Sequence, residues 1–280
     1  MTAPHDAAAR AERFVALHAS GCFLLPNAWD AGSARLLASL GPAALATTSA
    51  GAAWVLGRQD SALGRAESLA NAAAILAETT LPVSADLEDG FGPAPEDCAA
   101  TVRAAIEAGL AGCTIEDTTR DAAAPVHGFD AAVARVQAAV AAARGKGRPF
   151  VLTARAENFL HGRPDLEDTV RRLVAFAEAG ADCLYAPALP DLDAVRRVVA
   201  AVAPKPVNVL IGPRAGLVPM EALAAAGVRR VSLGGALARA AYGQALDLTR
   251  ALLGGDLPRM AAVMPHAAVN GAMRPAGVGP

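Results

Sequence analysis

Short apolar runs of six to eight residues alternate along the chain with longer amphipathic stretches. The short runs are apolar almost throughout, which is typical of parallel β-strands that are covered on both faces. They predict eight strands: Cys22–Trp29, Ala44–Ser49, Pro82–Glu88, Gly112–Asp117, Phe150–Glu157, Cys183–Ala188, Pro206–Ile211 and Arg229–Gly234.

The amphipathic stretches between these runs have the spacing of helices. After the fifth strand, for example, Val170, Leu173, Val174 and Ala177 recur at helical intervals, and the charged residues lie off that stripe. Strand alternating with helix in this way predicts an α/β protein with a (β/α)8 TIM barrel, and a doubly wound open sheet is the alternative. No linker or repeat interrupts the pattern, so we predict one domain over residues 1–280, with residues 236–270 as additional C-terminal helices.

Polar side chains collect where the predicted strands end, whereas beginnings such as Cys22, Pro82, Gly112, Phe150 and Pro206 are not charged. Catalytic residues of TIM barrels lie at the C-terminal ends of the strands, so this asymmetry predicts an active-site mouth there. Trp29 and Asn208 are candidates for substrate binding on this ground. The polar residues at the strand ends are Asn27, Trp29, Asp30, Thr47, Thr48, Ser49, Asp86, Glu88, Asp89, Glu116, Asp117, Arg155, Glu157, Asn158, Tyr185 and Asn208.

Three carboxylates at the ends of two neighbouring strands predict a site for a hard divalent cation. Asp86 and Glu88 lie on one side of the third strand, and Glu116 ends the next strand. Mg²⁺ suits such a site because it keeps several waters and takes few direct carboxylates, and Mn²⁺ is an alternative. The competing interpretation is a buried ion-pair network with Arg155. In the metal interpretation Arg155 is free to bind a substrate carboxylate.

The segment that follows the second strand combines a hydroxyl with small residues. Ser49 and the amides of Ala50 and Gly51 have the composition of an anion-binding nest, and a plain glycine turn is the alternative.

Composition narrows the choice of partners and compartment. The net charge of −2 is close to neutral, which argues against nucleic acid or an anionic membrane as partner. The N-terminus has no signal-peptide pattern, and no apolar run approaches the length of a membrane span. The four cysteines have no C-x-x-C spacing, so we expect a cytoplasmic protein with reduced thiols.

Several motifs, in order from about Leu25 to Tyr242, resemble the isocitrate lyase/phosphoenolpyruvate mutase superfamily. They are LPNAWDAGSARLL, ATTSAG with LGRQD, ADLEDGFG, GCTIED, LTARAENFL, GADCLYAPAL and VRRVSLGGALARAAYG. The resemblance implies a (β/α)8 barrel in a homo-oligomer, commonly a tetramer, whose last barrel helix is swapped between subunits. It also implies that Mg²⁺ stabilises the enolate of pyruvate or a related oxo acid.

The resemblance assigns roles to individual residues. Ser49, Ala50 and Gly51 match the loop that binds the substrate carboxylate, and Asp60 in GRQD matches an active-site aspartate. Asp86 matches the aspartate nearest the metal, Glu88 stands where the family usually has a second aspartate, and Glu116 matches a glutamate of the metal shell. Arg155 matches the arginine that binds substrate.

The chain lacks the acid/base groups of the best-known members. The loop after the fourth strand reads TTRDAAAPVHGFD, without the Lys-x-Cys-Gly-His of the lyases, and Ala186–Pro187 stand where the mutase has a histidine. The cysteines, together with Lys146 and Lys205, lie at strand beginnings or in a helix, which disfavours a thiolate base and a Schiff base. Tyr185, Asp60, His127 and His161 remain as candidate proton carriers.

These features predict a Mg²⁺-dependent lyase that cleaves a C–C bond of a small 2-oxo or 2-hydroxy di- or tricarboxylate, such as an oxaloacetate- or methylisocitrate-like acid, through a pyruvate-type enolate. The alternatives are P–C bond chemistry on phosphonopyruvate or phosphoenolpyruvate, by a mutase or hydrolase, and a non-catalytic dicarboxylate-binding protein.

Overall fold

Nine short parallel strands form a nearly closed barrel surrounded by helices in a computed structural model that describes residues 4–145, 147–212 and 218–274. Lys146 lies outside the described residues. The strands are β1 (Phe23–Leu25), β2 (Asn27–Ala28), β3 (Leu45–Thr47), β4 (Val83–Asp86), β5 (Gly112–Glu116), β6 (Val151–Arg155), β7 (Cys183–Tyr185), β8 (Val207–Leu210) and β9 (Arg230–Ser232).

Helices precede, separate and follow the strands. They are α1 (Pro4–Leu17), α2 (Ala31–Ala38), α3 (Ser49–Val55), α4 (Arg65–Ala77), α5 (Pro95–Glu107), α6 (Phe129–Arg144), α7 (Leu166–Glu178), α8 (Leu192–Val202), α9 (Met220–Ala225), α10 (Ala236–Leu253) and α11 (His266–Ala272), with a 3₁₀ helix at Leu257–Ala262. None of the helices in the described part of the chain combines the length and the apolar content that a membrane crossing requires.

The predicted TIM-barrel fold is confirmed, with one difference in its first strand. The run Cys22–Trp29 forms two strands, β1 and β2, that are separated by Pro26. Proline has no N–H to donate to a ladder, so the strand breaks there. β1 pairs with β9 and β2 pairs with β3. The two halves of the broken first strand therefore connect the last strand of the barrel, β9, with the next strand along the chain, β3.

The register of the strands places one row of polar side chains across the barrel interior. Glu116, Arg155, Tyr185, Asn208 and Arg230 are consecutive partners on β5 to β9. Paired residues of parallel strands point to the same face of a sheet, so these five side chains share the interior. The row gathers groups that lie more than a hundred residues apart in the sequence.

Helix α1 covers the N-terminal end of the barrel. Ala11 and Phe14 are fully buried, and they pack with Leu25, Val151 and Cys183 in one apolar cluster. The sequence patterns had not indicated this helix. It leaves the opposite end, where the polar residues collect, as the open mouth.

His18 follows α1 and connects this apolar layer to the interior row. Its Nε2 lies 3.2 Å from Nη1 of Arg230 and its Nδ1 lies 2.8 Å from the carbonyl oxygen of Phe14. Arginine only donates, so Nε2 accepts and the proton resides on Nδ1. Burial and the charge of Arg230 lower the pKa of His18 to about 3, so the ring is neutral in the folded protein.

The neutral state of His18 predicts a loss of stability in acid. Because the pKa of His18 is lower in the folded than in the unfolded chain, its contribution is complete above the unfolded value of about 6.5 and is lost as the pH falls. The unfolding free energy of the wild type should fall between pH 8 and pH 5. In His18→Gln, which keeps an acceptor for Arg230, we expect that fall to be about 2 kcal/mol smaller. Urea unfolding at both pH values measures it, and identical pH dependence of the two proteins would contradict the assignment.

Candidate active site at the barrel mouth

Two cavities open at the C-terminal end of the strands. The first, which we call the barrel cavity, has a volume of ≈ 170 Å³ and reaches between the strands. Its polar lining includes Ser49, Asp60, Asp86, Thr114, Arg155, Tyr185, Asn208 and Arg230, and Ala50 also lines it. The second, the loop cavity, has a volume of ≈ 250 Å³ and is lined by Ser61, Glu88, Asp89, Glu116, Thr118, Thr119 and Arg120.

Asp86 is held in the wall of the barrel cavity by groups from three neighbouring segments. Its Oδ2 accepts from the amide (3.1 Å) and the hydroxyl (2.8 Å) of Ser49, and its Oδ1 accepts from Thr114 Oγ1 (3.0 Å). Burial alone would raise the pKa of Asp86, but the charge of Arg155 and the bonds from Ser49 and Thr114 outweigh it and lower that pKa. The groups of Ser49 that the sequence offered to a substrate carboxylate therefore bind the protein's own Asp86 in this structure.

Arg155 binds three carboxyl groups at once. Its Nη1 lies 3.0 Å from Asp86 Oδ1 and 3.0 Å from Glu116 Oε2, and its Nε donates to Glu157 Oε1 at 2.8 Å. The guanidinium also lies over the ring of Tyr185, 4.8 Å from its centroid. This is the ion-pair network that the sequence left open as the alternative to a metal site, and it joins the walls of the two cavities.

Burial shifts two of the three carboxyl groups around Arg155 towards their neutral forms. Burial raises the pKa of Glu157 to about 7, even though Arg155 lowers it in part. Burial likewise raises the pKa of Glu116 well above its ordinary value, with the charges of Glu157 and Asp86 adding to the effect. Both shifts favour the neutral acid, so they reduce the negative charge that the single guanidinium of Arg155 has to balance.

Glu88 is the least satisfied of these acids. Its backbone φ is +48°, a left-handed conformation that costs energy for a residue with a side chain. Its Oε1 is buried without a hydrogen-bond partner, and its nearest cation, the exposed Arg120, lies 3.8 Å from Oε2. Burial, followed by the charge of Asp86, raises the pKa of Glu88 to about 8.

The carboxylates of the mouth do not converge on a single point. Within residues 4–145, 147–212 and 218–274, no three Asp, Glu, His or Cys side chains form a group that could hold a metal ion. This differs from the sequence expectation that Asp86, Glu88 and Glu116 together bind one ion. The reason is that Asp86 and Glu116 both turn to Nη1 of Arg155, whereas Glu88 faces the loop cavity.

The remaining predicted residues are divided between the cavities and their surroundings. Asp60 lies at the exposed rim, where partial desolvation and the charge of Asp86 raise its pKa. Trp29, Gly51 and His127 line neither cavity. A Cβ on Gly51 would lie 2.6 Å from Cβ of Trp29, so this glycine is where α3 packs closely on the residue that follows β2. The carbonyl of His127 accepts from Arg172, and burial lowers the pKa of the His127 ring.

Sequence reasoning missed three residues of this site. Thr114 lies two positions before Glu116 on β5, and Arg230 lies two positions before Ser232 on β9, so period-two alternation indicates that both face the interior. Arg120 is the one arginine of the segment TTRDAAAPVHGFD, and its side chain pairs with Glu88 and Asp89. That contact has no signal in the sequence because it depends on how the loop folds back.

Comparison with known proteins gives a consistent picture. The family model described as phosphoenolpyruvate phosphomutase matches residues 14–253. A solved protein of Burkholderia cenocepacia J2315 with a provisional lyase/mutase assignment is 50% identical, with a TM-score of 0.92 over 95% of this chain and 96% of that chain. An uncharacterized protein of Mycobacterium tuberculosis is 32% identical over 87% of this chain and 90% of its own. An oxaloacetate acetylhydrolase, solved with its product oxalate, is 26% identical with a TM-score of 0.83, and the match covers 94% of this chain and 93% of that chain.

The network around Arg155 predicts a pH-dependent loss of stability when the guanidinium is removed. For Arg155→Met we expect a destabilisation of about 3–5 kcal/mol at pH 8, because buried carboxylates lose their partner. The loss should be smaller at pH 5, where those carboxyl groups take up protons and become neutral. Urea unfolding at the two pH values tests this.

Arg171→Met is the matched control for this experiment. Arg171 is an exposed arginine that pairs with Asp168 and lies over the ring of Phe129. We expect its replacement to cost about 1 kcal/mol or less at either pH. Equal losses for the two variants would refute the proposed dependence of the mouth on Arg155.

Proposed function

The chain belongs to the phosphoenolpyruvate phosphomutase family, within the isocitrate lyase/phosphoenolpyruvate mutase superfamily of enzymes, and from this premise we propose that it is a Mg²⁺-dependent C–C lyase. The proposed substrate is a small 2-oxo or 2-hydroxy di- or tricarboxylate of the oxaloacetate or methylisocitrate type. The observation that carries the proposal is the wall of the mouth in which Arg155 binds Asp86 and Glu116 next to the buried, unpartnered oxygen of Glu88.

The oxygen donors at the mouth have the chemistry that a hard divalent cation prefers, although Asp86, Glu88 and Glu116 do not converge on one point in this structure. Five carboxyl groups and three guanidinium groups line the two cavities, and the buried Oε1 of Glu88 has no donor. Asp86, Glu88 and Glu116 would hold the ion, in part through water, because Mg²⁺ retains several waters and binds few carboxylates directly. When bound, such an ion supplies Lewis-acid stabilisation of negative charge that develops on a carbonyl oxygen. Mn²⁺ prefers the same oxygen ligands.

The protein's own groups position the substrate. Arg155 lines the barrel cavity, where its three carboxyl partners and the ring of Tyr185 hold the guanidinium in place, and a substrate carboxylate would share it with those partners. Ser49 and Ala50 at the start of α3 line the same cavity, with the amide and hydroxyl of Ser49 donated to Asp86. A small dicarboxylate suits a cavity of ≈ 170 Å³.

Cleavage next to a keto group leaves an electron pair that becomes an enolate. In decarboxylation the C–C bond to the departing carboxylate breaks, CO₂ leaves, and the carbon that retains the electron pair is later protonated. This step needs an acid and no strong base, which agrees with the absence of the lyase cysteine from TTRDAAAPVHGFD. Asp60 and Tyr185 line the cavity and are our candidates for the proton donor.

The family assignment also supports a second candidate, which is P–C bond chemistry on phosphonopyruvate or phosphoenolpyruvate. The same enolate-stabilising groups serve both reactions. Phosphorus NMR of a reaction with phosphonopyruvate distinguishes the two, because migration or release of the phosphoryl group changes the phosphorus signal.

We also propose that the enzyme is a homo-oligomer, dimer or tetramer, that works in the cytoplasm. Supporting the first point, α10 and the segment after it expose a series of large apolar side chains, which is unusual for the surface of a monomer. These residues are Leu246, Leu253, Leu257, Met260, Val263 and Met264. Supporting the second, the four cysteines are free thiols.

We expect pyruvate release from oxaloacetate or 2-methylisocitrate that depends on a divalent cation. Chelation should abolish it, and Mg²⁺ or Mn²⁺ should restore it. Asp86→Asn should lower kcat about 100-fold or more, because a charged group that organises the site is lost. A lactate dehydrogenase coupled assay measures the pyruvate, with metal and substrate but no protein as the background.

Asp193→Asn is the matched control for the assay. Asp193 has an 87% exposed side chain on α8 and takes no part in the mouth, so the same substitution there should leave kcat unchanged. The lyase proposal fails when no member of a panel of oxo and hydroxy di- and tricarboxylates is turned over above background in the presence of either metal.

The exposed apolar series predicts a change in assembly when charge is introduced. The double variant Leu253→Asp/Leu257→Asp should shift the mass from light scattering towards that of the monomer, since a buried carboxylate without a partner is costly at an interface. Asp256→Asn, in the same segment, should leave the mass unchanged. A wild-type protein that is monomeric at micromolar concentration would refute the proposal.

A further inference from the structure

A buried arginine crosses the barrel interior beneath the barrel cavity. Arg230 lies on β9, is only 2% exposed and lines that cavity. Its Nη2 donates to Thr153 Oγ1 on β6 at 2.9 Å, so the side chain spans from one wall of the barrel to another. Its Nε donates to Asn208 Oδ1 at 2.8 Å and its Nη1 donates to His18 Nε2. The guanidinium therefore forms the floor of the cavity.

All three partners of Arg230 are neutral. Asn208 and Thr153 have no charge, and His18 donates its single ring proton to Phe14 and is neutral as well. Within the described residues no Asp or Glu forms an ion pair with Arg230. A guanidinium has five N–H groups, of which these three bonds use three, so donor capacity remains.

The two arginines of the barrel cavity thus differ in charge balance. Arg155 is surrounded by three carboxyl groups, whereas Arg230 carries a buried positive charge without a counter-ion. A buried charge without a partner raises the free energy of the protein, and an anion that enters the cavity lowers it again. The positive charge at the floor of the cavity therefore lacks the counter-ions that balance Arg155 in its wall.

We propose that Arg230 receives an anionic carboxylate of the substrate, and that it selects ligands with a second negative charge over neutral analogues. The inference rests on the proposed function, because it assigns one end of the same substrate to this residue. Binding at the floor would direct the other end of a small oxo acid towards Asp86 and Arg155. Arg230 is then a binding residue of the reaction in addition to those the sequence indicated.

The first test replaces the charge itself. Arg230→Met is compared with Arg229→Met, the neighbouring arginine, which is half-buried and donates to the carbonyl of Gly21 outside this cavity. The probe is oxalate, and titration calorimetry in the presence of Mg²⁺ measures its binding. We expect Arg230→Met to weaken oxalate binding about tenfold or more, and Arg229→Met to bind like the wild type.

The second test keeps Arg230 and introduces a counter-ion for it at a position outside the cavity. Thr153 is fully buried, bonds to Arg230 and does not line the cavity. Thr153→Asp would place a carboxylate against the guanidinium, and Thr153→Asn gives nearly the same shape without the charge. We expect Thr153→Asp to be the more heat-stable of the two and to bind oxalate about tenfold more weakly. This comparison remains informative when Arg230→Met does not fold.

The outcomes separate this inference from the lyase proposal. A wild-type protein that neither binds oxalate nor turns over any oxo acid contradicts the proposed function. The role of Arg230 is overturned when Arg230→Met binds oxalate like the wild type, or when Thr153→Asp and Thr153→Asn bind it equally well. Either result leaves the lyase proposal intact. We expect the wild type to bind oxamate more weakly than oxalate, and Thr153→Asp to bind the two alike. This result supports selection for the second negative charge.

Discussion

The mouth of the barrel depends on the ion pairs of Arg155. One guanidinium binds Asp86 at the end of β4, Glu116 at the end of β5 and Glu157 just after β6, and it lies over the ring of Tyr185 on β7. Without it, like charges would face each other in a region of low dielectric constant, and the strands that carry them could not close together at small cost. The same residue therefore holds the acids in place and presents a planar donor to the cavity.

Much of this arrangement could be predicted from the sequence because it depends on periodicity. The barrel follows from apolar runs separated by amphipathic stretches, and the position of Asp86, Glu116 and Arg155 at one mouth follows from the parallel direction of the strands. The choice between a shared cation and an ion pair could not be predicted, because it depends on rotamers and on distances of about an ångström. The break at Pro26 was visible as a proline, but the strands on each side of it pair with different neighbours, which is a long-range property.

Contacts that depend on loops and termini were also beyond the sequence. Arg120 reaches Glu88 and Asp89 only because its loop folds back over the third predicted strand end, and His18 contacts Arg230 across 212 positions of the chain. In both contacts an arginine meets partners that are distant from it in the sequence, so a local pattern does not reveal them. The consequence for function is considerable, because the loop cavity and the floor of the barrel cavity are each defined by one of these arginines.

The distribution of protons in the mouth favours carboxylic acids over thiols as proton carriers. Burial raises the pKa of Cys113, and it raises that of Cys98 to about 11, so neither thiol ionises near neutral pH. In contrast, the proton-donor candidates Asp60 and Tyr185 line the barrel cavity, where partial desolvation and the charge of Asp86 raise the pKa of Asp60. A site that lacks a cysteine base but concentrates such acids beside an arginine suits reactions in which a leaving group departs with little help and the remaining carbanion must be stabilised and then protonated. Loss of CO₂ from an oxo acid is a reaction of this kind, and it agrees with the arginine in the wall of the cavity and the second arginine at its floor.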